Sequence, residues 1–527
     1  MSALHAQLPT VHTAPVAVAE LAARLRERGL LDGDAVGPTD GLIQDVTIDS
    51  RRAGAGVLFA AISADTHTGR DGHDFVDDAL ARGASAALVS GEWLRKRTEA
   101  EASTSTPVPL GKGERLPGAA LVPATDSRAA LAEIATDVYG RPGDALTLLG
   151  VTGTNGKTTT VFLLHHLLTT LGQTAGLVGT VENRIGTERY ATQFTTPEAP
   201  ALQRLLRAMV EAGCSHAAME VSSHGLALDR VRALPFRVAV FTNLTQDHLD
   251  YHRTFGEYEA AKKRLFDGLG PDAVAIVNGD DPAHTRMTAD TAARVVTYGT
   301  SEDADVRVEV LENAVDGLTL RLDGAGRRFR MAGRFNALNL AAAYAAGVAL
   351  GFDEAACLDA LADAPGVPGR FETVREGGVL GVVDYAHTPD ALDNVLKTAR
   401  EIVPEGNRLW AVFGCGGDRD AGKRPLMARV AETVADRVVI TSDNPRTEDP
   451  DAILDDVEAG LERPEAATRI ADRAAAIAHA ATESSPGDVV VIAGKGHETY
   501  QIVGTERRHF DDREALRDAL ITRAEAR

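Results

Sequence analysis

The chain has 527 residues in ordinary globular proportions, 44% hydrophobic and 25% charged, and a formal net charge of −21. That length accommodates about three or four domains, each able to bury a core. The diffuse acidic balance argues against nucleic acid or an anionic membrane surface as partner, while leaving room for an anionic small substrate in a local basic pocket.

Cys214, Cys357 and Cys415 are an odd, scattered trio with neither metal spacing nor a disulfide framework. No basic segment followed by an apolar core opens the chain, and no apolar run approaches the ~20 residues that span a bilayer. The expected compartment is a reducing cytoplasm, with no membrane insertion.

Residues 1 to 16 are rich in Ala, Pro, His and Thr and are expected to be disordered. Helical spacing follows over Val18 to Arg28, then a strand ending in a polar loop over Val46 to Arg51 and a further strand-like run at Val57 to Ile62. Phe75 to Arg82 reads as a helix, Ala86 to Val89 as a strand, and Leu131 to Tyr139 as a helix. Between them Arg95 to Pro117 mixes charges, Ser-Thr repeats, Gly and Pro, the pattern of a flexible insertion. Gly140 to Gly143 is a first boundary, so residues 1–143 form one expected domain.

The next stretch, Leu149-Gly-Val-Thr-Gly-Thr-Asn-Gly-Lys-Thr-Thr160, joins the buried strand Ala145 to Leu149 to a helix carrying Val161, Leu164, Leu168 and Leu171. Gly153 and Gly156 let the backbone curl so that successive N–H groups, with Thr154 and Asn155, face inward. The helix N-terminus adds its positive dipole end, Lys157 a full charge, and the Thr158 hydroxyl a magnesium ligand, with Thr159 beside it. The general P-loop pattern has Gly where this chain has Val151. The chemistry indicated is a nucleoside triphosphate site.

Strand-like runs at Ala217 to Val221, Val238 to Asn243 and Ala273 to Asn278 alternate with helical patterns, as in a parallel α/β sheet. Ala304 to Met331 alternates like antiparallel strands, and Leu338 to Leu350 is an Ala-rich packed helix. Pro365 to Gly369 is the second boundary, giving domains 144–366 and 367–527. In the last of these, strands are expected at Leu380 to Val383, Leu409 to Phe413, Val438 to Thr441 and Val489 to Ala493. Ligand loops in such sheets sit at the carboxyl ends of strands.

Polar clusters fall at those strand ends. Glu220 either holds the magnesium that Thr158 also binds or merely caps a helix. His248, in a loop loaded with Asp and His, is a magnesium or phosphate-side ligand or part of an ordinary polar loop. Lys262, in the helical Tyr258 to Phe266, reads on spacing alone as a solvated surface lysine. Asn336 and Asn339 either read adenine edges or cap the Ala-rich helix. In Asp443-Asn444-Pro445-Arg446, Pro fixes a turn and Arg446 presents a planar fork suited to a carboxylate; the alternative is a plain surface turn.

The motifs Glu-Val-Ser-Ser-His-Gly, Thr-Asn-Leu-Thr-Gln-Asp-His-Leu-Asp-Tyr-His, Tyr-Glu-Ala-Ala-Lys, Gly-Arg-Phe-Asn-Ala-Leu-Asn, Asp-Tyr-Ala-His-Thr-Pro-Asp, Gly-Cys-Gly-Gly-Asp-Arg-Asp, Asp-Asn-Pro-Arg and Gly-Lys-Gly-His-Glu follow the glycine-rich turn in that order. Together they resemble the Mur ligases of peptidoglycan synthesis. The resemblance implies an α/β fold of three domains: an N-terminal domain for a UDP substrate, a central P-loop ATPase with a parallel sheet, and a C-terminal Rossmann-like domain. It implies ATP, two magnesium ions, and carbon dioxide carried as a carbamate on Lys262, which turns a cation into an anionic metal ligand beside Glu220 and His248.

It also implies that Arg370 reaches the γ-phosphate and that Asp384 and His387 contact the ribose and base of ATP. Diaminopimelate is the expected amino acid, read by Arg446 and Arg419 through carboxylate and by Glu498 through the distal ammonium, with Gly494 lining the pocket. Ile48 and Ser50 match positions touching the uridine nucleotide, and Thr195, Thr196, Ser222 and Arg230 those lining UDP-N-acetylmuramoyl-L-alanyl-D-glutamate. A monomer is expected. Rivals are a lysine-adding or folylpolyglutamate synthase-like ligase, a silent scaffold, and a P-loop GTPase, whose Asn-Lys-x-Asp motif is missing from the sequence.

Overall fold

The computed structural model describes residues 4–5, 9–63, 70–103 and 119–526. Two compact units result: Met1–Gly150 with Gly172–Ala239 and Arg264–Ala273, and Val151–Leu171 with Val240–Lys263 and Val274–Arg527.

In the first unit, four parallel strands lie side by side in chain order: Asp45–Thr47, Val57–Ala60, Ala86–Ser90 and Ala120–Ala124. Side chains alternate between sheet faces, and both faces here are apolar. Leu58 and Leu88 join Leu21, Leu25, Leu131 and Ile134 of the helices Val18–Glu27 and Ser127–Val138, while Phe59 and Val89 join Val76. Thr47 ends the first strand, and a tight turn over Ser50–Arg52 follows, capped by Asp49, whose carboxylate accepts from Arg51 N at 3.0 Å. The strand expected there to end in a polar loop does so, stopping at Thr47.

The charged run from Arg95 departs from expectation. Gly91–Ser103 is a helix, with Lys96 bonded to Glu92 at 2.6 Å and the Arg97 guanidinium 5.0 Å from the Trp93 ring centre. Pairs four residues apart stabilise a helix that buries little. The remainder of that expected insertion lies outside the described residues. So do residues 1–3 and 6–8, though Leu4–His5 pairs with Arg189 and Tyr190, and Val16–Ala17 with Leu42–Ile43, so strand pairing holds parts of a segment expected to be unstructured. The same unit pairs the strands Ala175–Val178 and His216–Glu220 in parallel.

The second unit opens at the end of strand Thr147–Thr152 and runs into helix Lys157–Thr170. Helix Asn336–Ala349 packs beside it. A Cβ on Gly347 would lie 2.8 Å from both Leu167 Cδ2 and Cys357 Sγ, so the close helix contact depends on that glycine. Strands Val274–Asn278 and Arg294–Gly299 pair in parallel, and the expected antiparallel meander is Val306–Ala314, Gly317–Leu322 and Ala325–Phe329.

A six-stranded sheet follows in the order Glu372–Glu376, Val379–Asp384, Val489–Ala493, Leu409–Phe413, Arg437–Ile440 and Thr468–Arg469. Only its first pair is antiparallel. Its continuous apolar strands are covered on both faces, by helices that include Pro389–Glu401 on one side and Arg473–Glu483 on the other. The carboxyl ends of four of its parallel strands release the chain at Asp384, Gly414, Thr441 and Gly494.

Candidate active site

Glycine geometry shapes the phosphate cradle. Gly153 (φ +144°) and Gly156 (φ +87°) occupy backbone conformations that L side chains rarely adopt. A Cβ on Gly153 would stand 1.9 Å from Thr242 Oγ1, and one on Gly156 would stand 2.5 Å from Asn339 Oδ1. Lys157 folds back over the loop and donates to the carbonyls of Gly153 (2.9 Å) and Thr154 (2.8 Å). Asn155 N donates to Asn243 Oδ1 at 2.9 Å, and Thr154 Oγ1 shares a hydrogen bond with the Tyr258 hydroxyl at 3.0 Å. Thr158 and Thr159 are buried at the first turn of the helix. The loop is thus ordered from outside: the Thr154 and Asn155 N–H groups, expected to face inward, instead donate to Asn243, and the loop runs into a helix N-terminus that favours an anion.

Lys262 overturns its surface reading, since only 1% of it is exposed. Its Nζ donates to the Gly153 carbonyl at 2.7 Å and lies 4.5 Å from the Tyr258 ring centre. Burial, reinforced by Lys157, holds its pKa well below the usual lysine range against the opposing pull of Asp247. The side chain therefore gives up its proton more readily than an ordinary lysine. Burial raises the Asp247 carboxyl, but His248, His387 and Lys423 together outweigh it and keep the group ionised. His248 adopts φ +53°, its ring nitrogen 3.5 Å from Asp247. Among the described residues no three His, Cys, Asp or Glu side chains converge into a metal cage. The Thr158 hydroxyl buried at the cradle fits magnesium, which is commonly held by few protein groups plus substrate phosphates.

Arg370, just past the second boundary, reaches the cradle. Its Nη2 is 3.2 Å from Thr158 Oγ1, and its guanidinium stacks 4.5 Å from the Tyr385 ring centre. Asp384 accepts from Phe371 N through Oδ2 (2.7 Å) and from Ala386 N through Oδ1 (2.8 Å), so one oxygen pins the segment that carries Arg370 and the other closes the turn after its own strand. Burial pushes the Asp384 carboxyl up, opposed by Arg370. His387 Nδ1 bonds the Tyr385 carbonyl at 2.9 Å, and burial lowers its pKa. Asn336 donates to Ala332 O at 2.7 Å and accepts from Asn339 at 2.9 Å, so both amides are tied at the start of their helix.

A second polar cluster sits on loops of the six-stranded sheet. Arg446 (φ +52°) donates to Gly417 O at 2.7 Å, and Arg419, on the same loop as Gly417, is exposed. Asp418 accepts from Thr447 Oγ1 at 2.8 Å, stapling the two arginine-bearing loops together. Asn444 donates to Glu498 Oε2 at 2.9 Å. Gly494 (φ +119°) lets Asp443 approach, because a Cβ would meet Asp443 Oδ2 at 2.5 Å. Arginines and carboxylates on these neighbouring loops offer groups of the kind that bind a ligand carrying both carboxylate and ammonium.

Family descriptions match both halves of this arrangement: "Mur ligase middle domain" over residues 151–347 and "Mur ligase, glutamate ligase domain" over residues 369–496. A protein of Geobacillus kaustophilus named UDP-N-acetylmuramoyl-L-alanyl-D-glutamate–2,6-diaminopimelate ligase is 45% identical over 90% of this chain and 94% of its own length. The chain belongs to the Mur ligase family.

A protein of the same name from Thermosynechococcus vestitus is 46% identical over 91% of this chain and 94% of its own. A solved structure of a ligase of that name superposes with a TM-score of 0.64 at 35% identity, covering 96% of this chain and 99% of the other.

The first unit of this Mur ligase gathers Thr196, Ser222 and Arg230. Thr196 Oγ1 is bonded to Glu220 O (2.9 Å) and Ser222 Oγ (3.1 Å), and Arg230 donates to Thr196 O at 2.9 Å and to Glu198. Thr195 shares a hydrogen bond with Thr180 at 2.9 Å, and Glu220 accepts from Thr180 N at 2.8 Å and Thr180 Oγ1 at 3.1 Å. Ser50 donates to Asp78 at 2.9 Å, while Ile48 is exposed.

Sequence reasoning passed over Lys495, which donates to Glu498 at 2.9 Å, and Asp390, which accepts from Asn155 Nδ2 at 2.8 Å and Thr245 Oγ1 at 3.2 Å. Both stand inside the motifs that carry the family resemblance, and a charged residue between two glycines at a strand end was the available signal for Lys495.

Proposed function

We propose that this Mur ligase joins diaminopimelate to UDP-N-acetylmuramoyl-L-alanyl-D-glutamate with hydrolysis of ATP to ADP and phosphate, as a monomer in the cytoplasm. The observation that carries the reading is a phosphate cradle met by a linker arginine, in one compact unit with a pocket built from arginines and carboxylates. Residues 1–143 take the UDP substrate, 144–366 the ATP, and 367–527 the amino acid. Ile48, Ser50, Thr195, Thr196, Ser222 and Arg230 are the proposed contacts for the UDP-linked substrate.

An amine and a carboxylate at neutral pH form a salt, so the carboxylate must be activated. The γ-carboxylate of the D-glutamate attacks the γ-phosphorus of ATP, the bond to the bridging oxygen breaks, and an acyl phosphate and ADP result. Lys157 and the helix N-terminus that it opens hold the phosphates in line, and Arg370 faces the charge that spreads over the transferred group. Asn336, Asn339, Asp384 and His387 hold the nucleoside side. An amino group of diaminopimelate then attacks the acyl carbon, and the tetrahedral adduct expels phosphate and loses a proton to leave the amide.

Thr158, His248, Glu220 and Lys262 are the proposed magnesium ligands. The neutral amine of Lys262 adds to carbon dioxide, forming an N–C bond and releasing a proton, which converts a repelling cation into an oxygen donor. Magnesium, when bound, neutralises phosphate charge.

Phosphate release measured with each substrate omitted in turn tests the reading. Release is expected only when UDP-muramoyl-dipeptide and diaminopimelate are both present, and far more slowly with L-lysine. Release with neither would overturn it.

A further inference from the structure

Lys495 has no exposed side-chain surface. It follows strand Val489–Ala493 by two residues, and its Nζ donates to Glu498 Oε2 at 2.9 Å and Asn444 Oδ1 at 3.2 Å, 5.4 Å from the Tyr500 ring centre. Asn444 closes the triangle by donating to the same Glu498 oxygen at 2.9 Å, and Ile502 N donates to Asn444 Oδ1 at 2.9 Å. One oxygen of Glu498 is therefore held by two donors. The other, Oε1, has only the Tyr500 hydroxyl near it, at 3.4 Å, among the contacts the structure describes. A buried ammonium is costly unless hydrogen bonds and an opposite charge offset its desolvation. Here both do, in a cluster that includes Glu498, which the family resemblance assigns to the distal ammonium of the amino acid.

We propose that Lys495 is the positioning residue of the amino-acid pocket: it fixes Asn444 and Oε2 of Glu498 so that Oε1 is aimed at the distal ammonium of the incoming diamino acid. Without Lys495, the carboxylate loses its anchor and rotates away from that direction. The inference rests on the reading of the pocket given above.

The test compares kcat/KM for diaminopimelate with that for 2-aminopimelate, which keeps both carboxylates and the reacting amine but lacks the distal one. Full-length wild type, Lys495→Met, Lys495→Gln and Glu498→Gln are assayed, with KM for ATP and thermal melting alongside. Losing a charge-assisted hydrogen bond should lower the wild-type preference about 10- to 100-fold in Lys495→Met, to the level of Glu498→Gln. Lys495→Gln, which keeps a donor but no charge, should fall by less. KM for ATP should stay within about twofold.

A preference within twofold of wild type in whichever lysine variant folds overturns the proposal, as does an equal rise in KM for ATP, or failure of both variants to fold. Wild type that uses diaminopimelate without preferring it to 2-aminopimelate overturns the inference alone. Wild type that uses neither overturns the functional reading as well.

Discussion

Arg370→Ala tests the link between the second boundary and the cradle. The guanidinium lies 3.2 Å from Thr158 Oγ1 and is braced by the Tyr385 ring. An arginine that reaches a transferred phosphoryl group contributes about 10³- to 10⁵-fold to turnover in P-loop enzymes. With Lys157 and its cradle intact, the lower end is expected here, a loss of about 10³ in kcat or ~4 kcal/mol of transition-state stabilisation. Arg370→Lys should recover only part of it, because an ammonium cannot reproduce the planar fork or the stacking.

The fold should survive, since Asp384 keeps its two backbone donors. Stability should nevertheless acquire a pH signature. Burial raises the Asp384 carboxyl and Arg370 opposes the rise, so the folded state holds that proton to higher pH than the unfolded chain does. Its contribution is present at low pH and is lost as pH rises through the ordinary Asp range toward the raised value. Without Arg370 the loss extends further upward, and the gap in melting temperature between variant and parent should widen with pH. Phosphate release at saturating substrates measures the first effect and thermal melting the second. A kcat for Arg370→Ala within threefold of the parent would refute the reasoning.

Lys262→Met keeps the packing against Tyr258 but cannot form a carbamate; phosphate release should fall at least about 100-fold, while melting should show no loss, because burial already disfavours the charge on Lys262 and Lys157 still donates to the Gly153 carbonyl. Retained turnover would remove the metal-ligand role. Arg446→Gly relieves the φ +52° backbone yet removes the fork, so KM for diaminopimelate should rise about 10- to 100-fold, with KM for ATP unchanged; kinetics with each substrate varied separate the two. Gly153→Ala would drive a Cβ to 1.9 Å from Thr242 Oγ1; nucleotide binding measured by calorimetry should weaken at least about tenfold, and wild-type affinity would show that the loop tolerates a side chain.

Contiguous chemistry was legible without coordinates. A strand, two glycines, a lysine and a helix start fall within a dozen residues, and their local geometry follows from backbone sterics alone, so the cradle needed no distant partner to be recognised. The alternating meander and the buried strands followed from side-chain period for the same reason. Charge environment was different. Lys262 resembles any helical surface lysine until Gly153, which is 109 positions away along the chain, supplies its acceptor. Lys157 and Asp247 then set its protonation. Asp384 looks like a ligand for solution molecules, yet one of its oxygens holds the chain that carries Arg370 and the other closes its own turn. The run from Arg95 looked unstructured because composition registers charge density, whereas the helix depends on which charges face one another.

Sequence by itself determined where a triphosphate can be gripped and which family the motifs resemble, because those depend on neighbours along the chain. Tertiary structure alone decided which lysines lose their solvent, and which carboxylates are already engaged. Desolvation and hydrogen-bond competition are set by groups that only folding brings within a few ångströms.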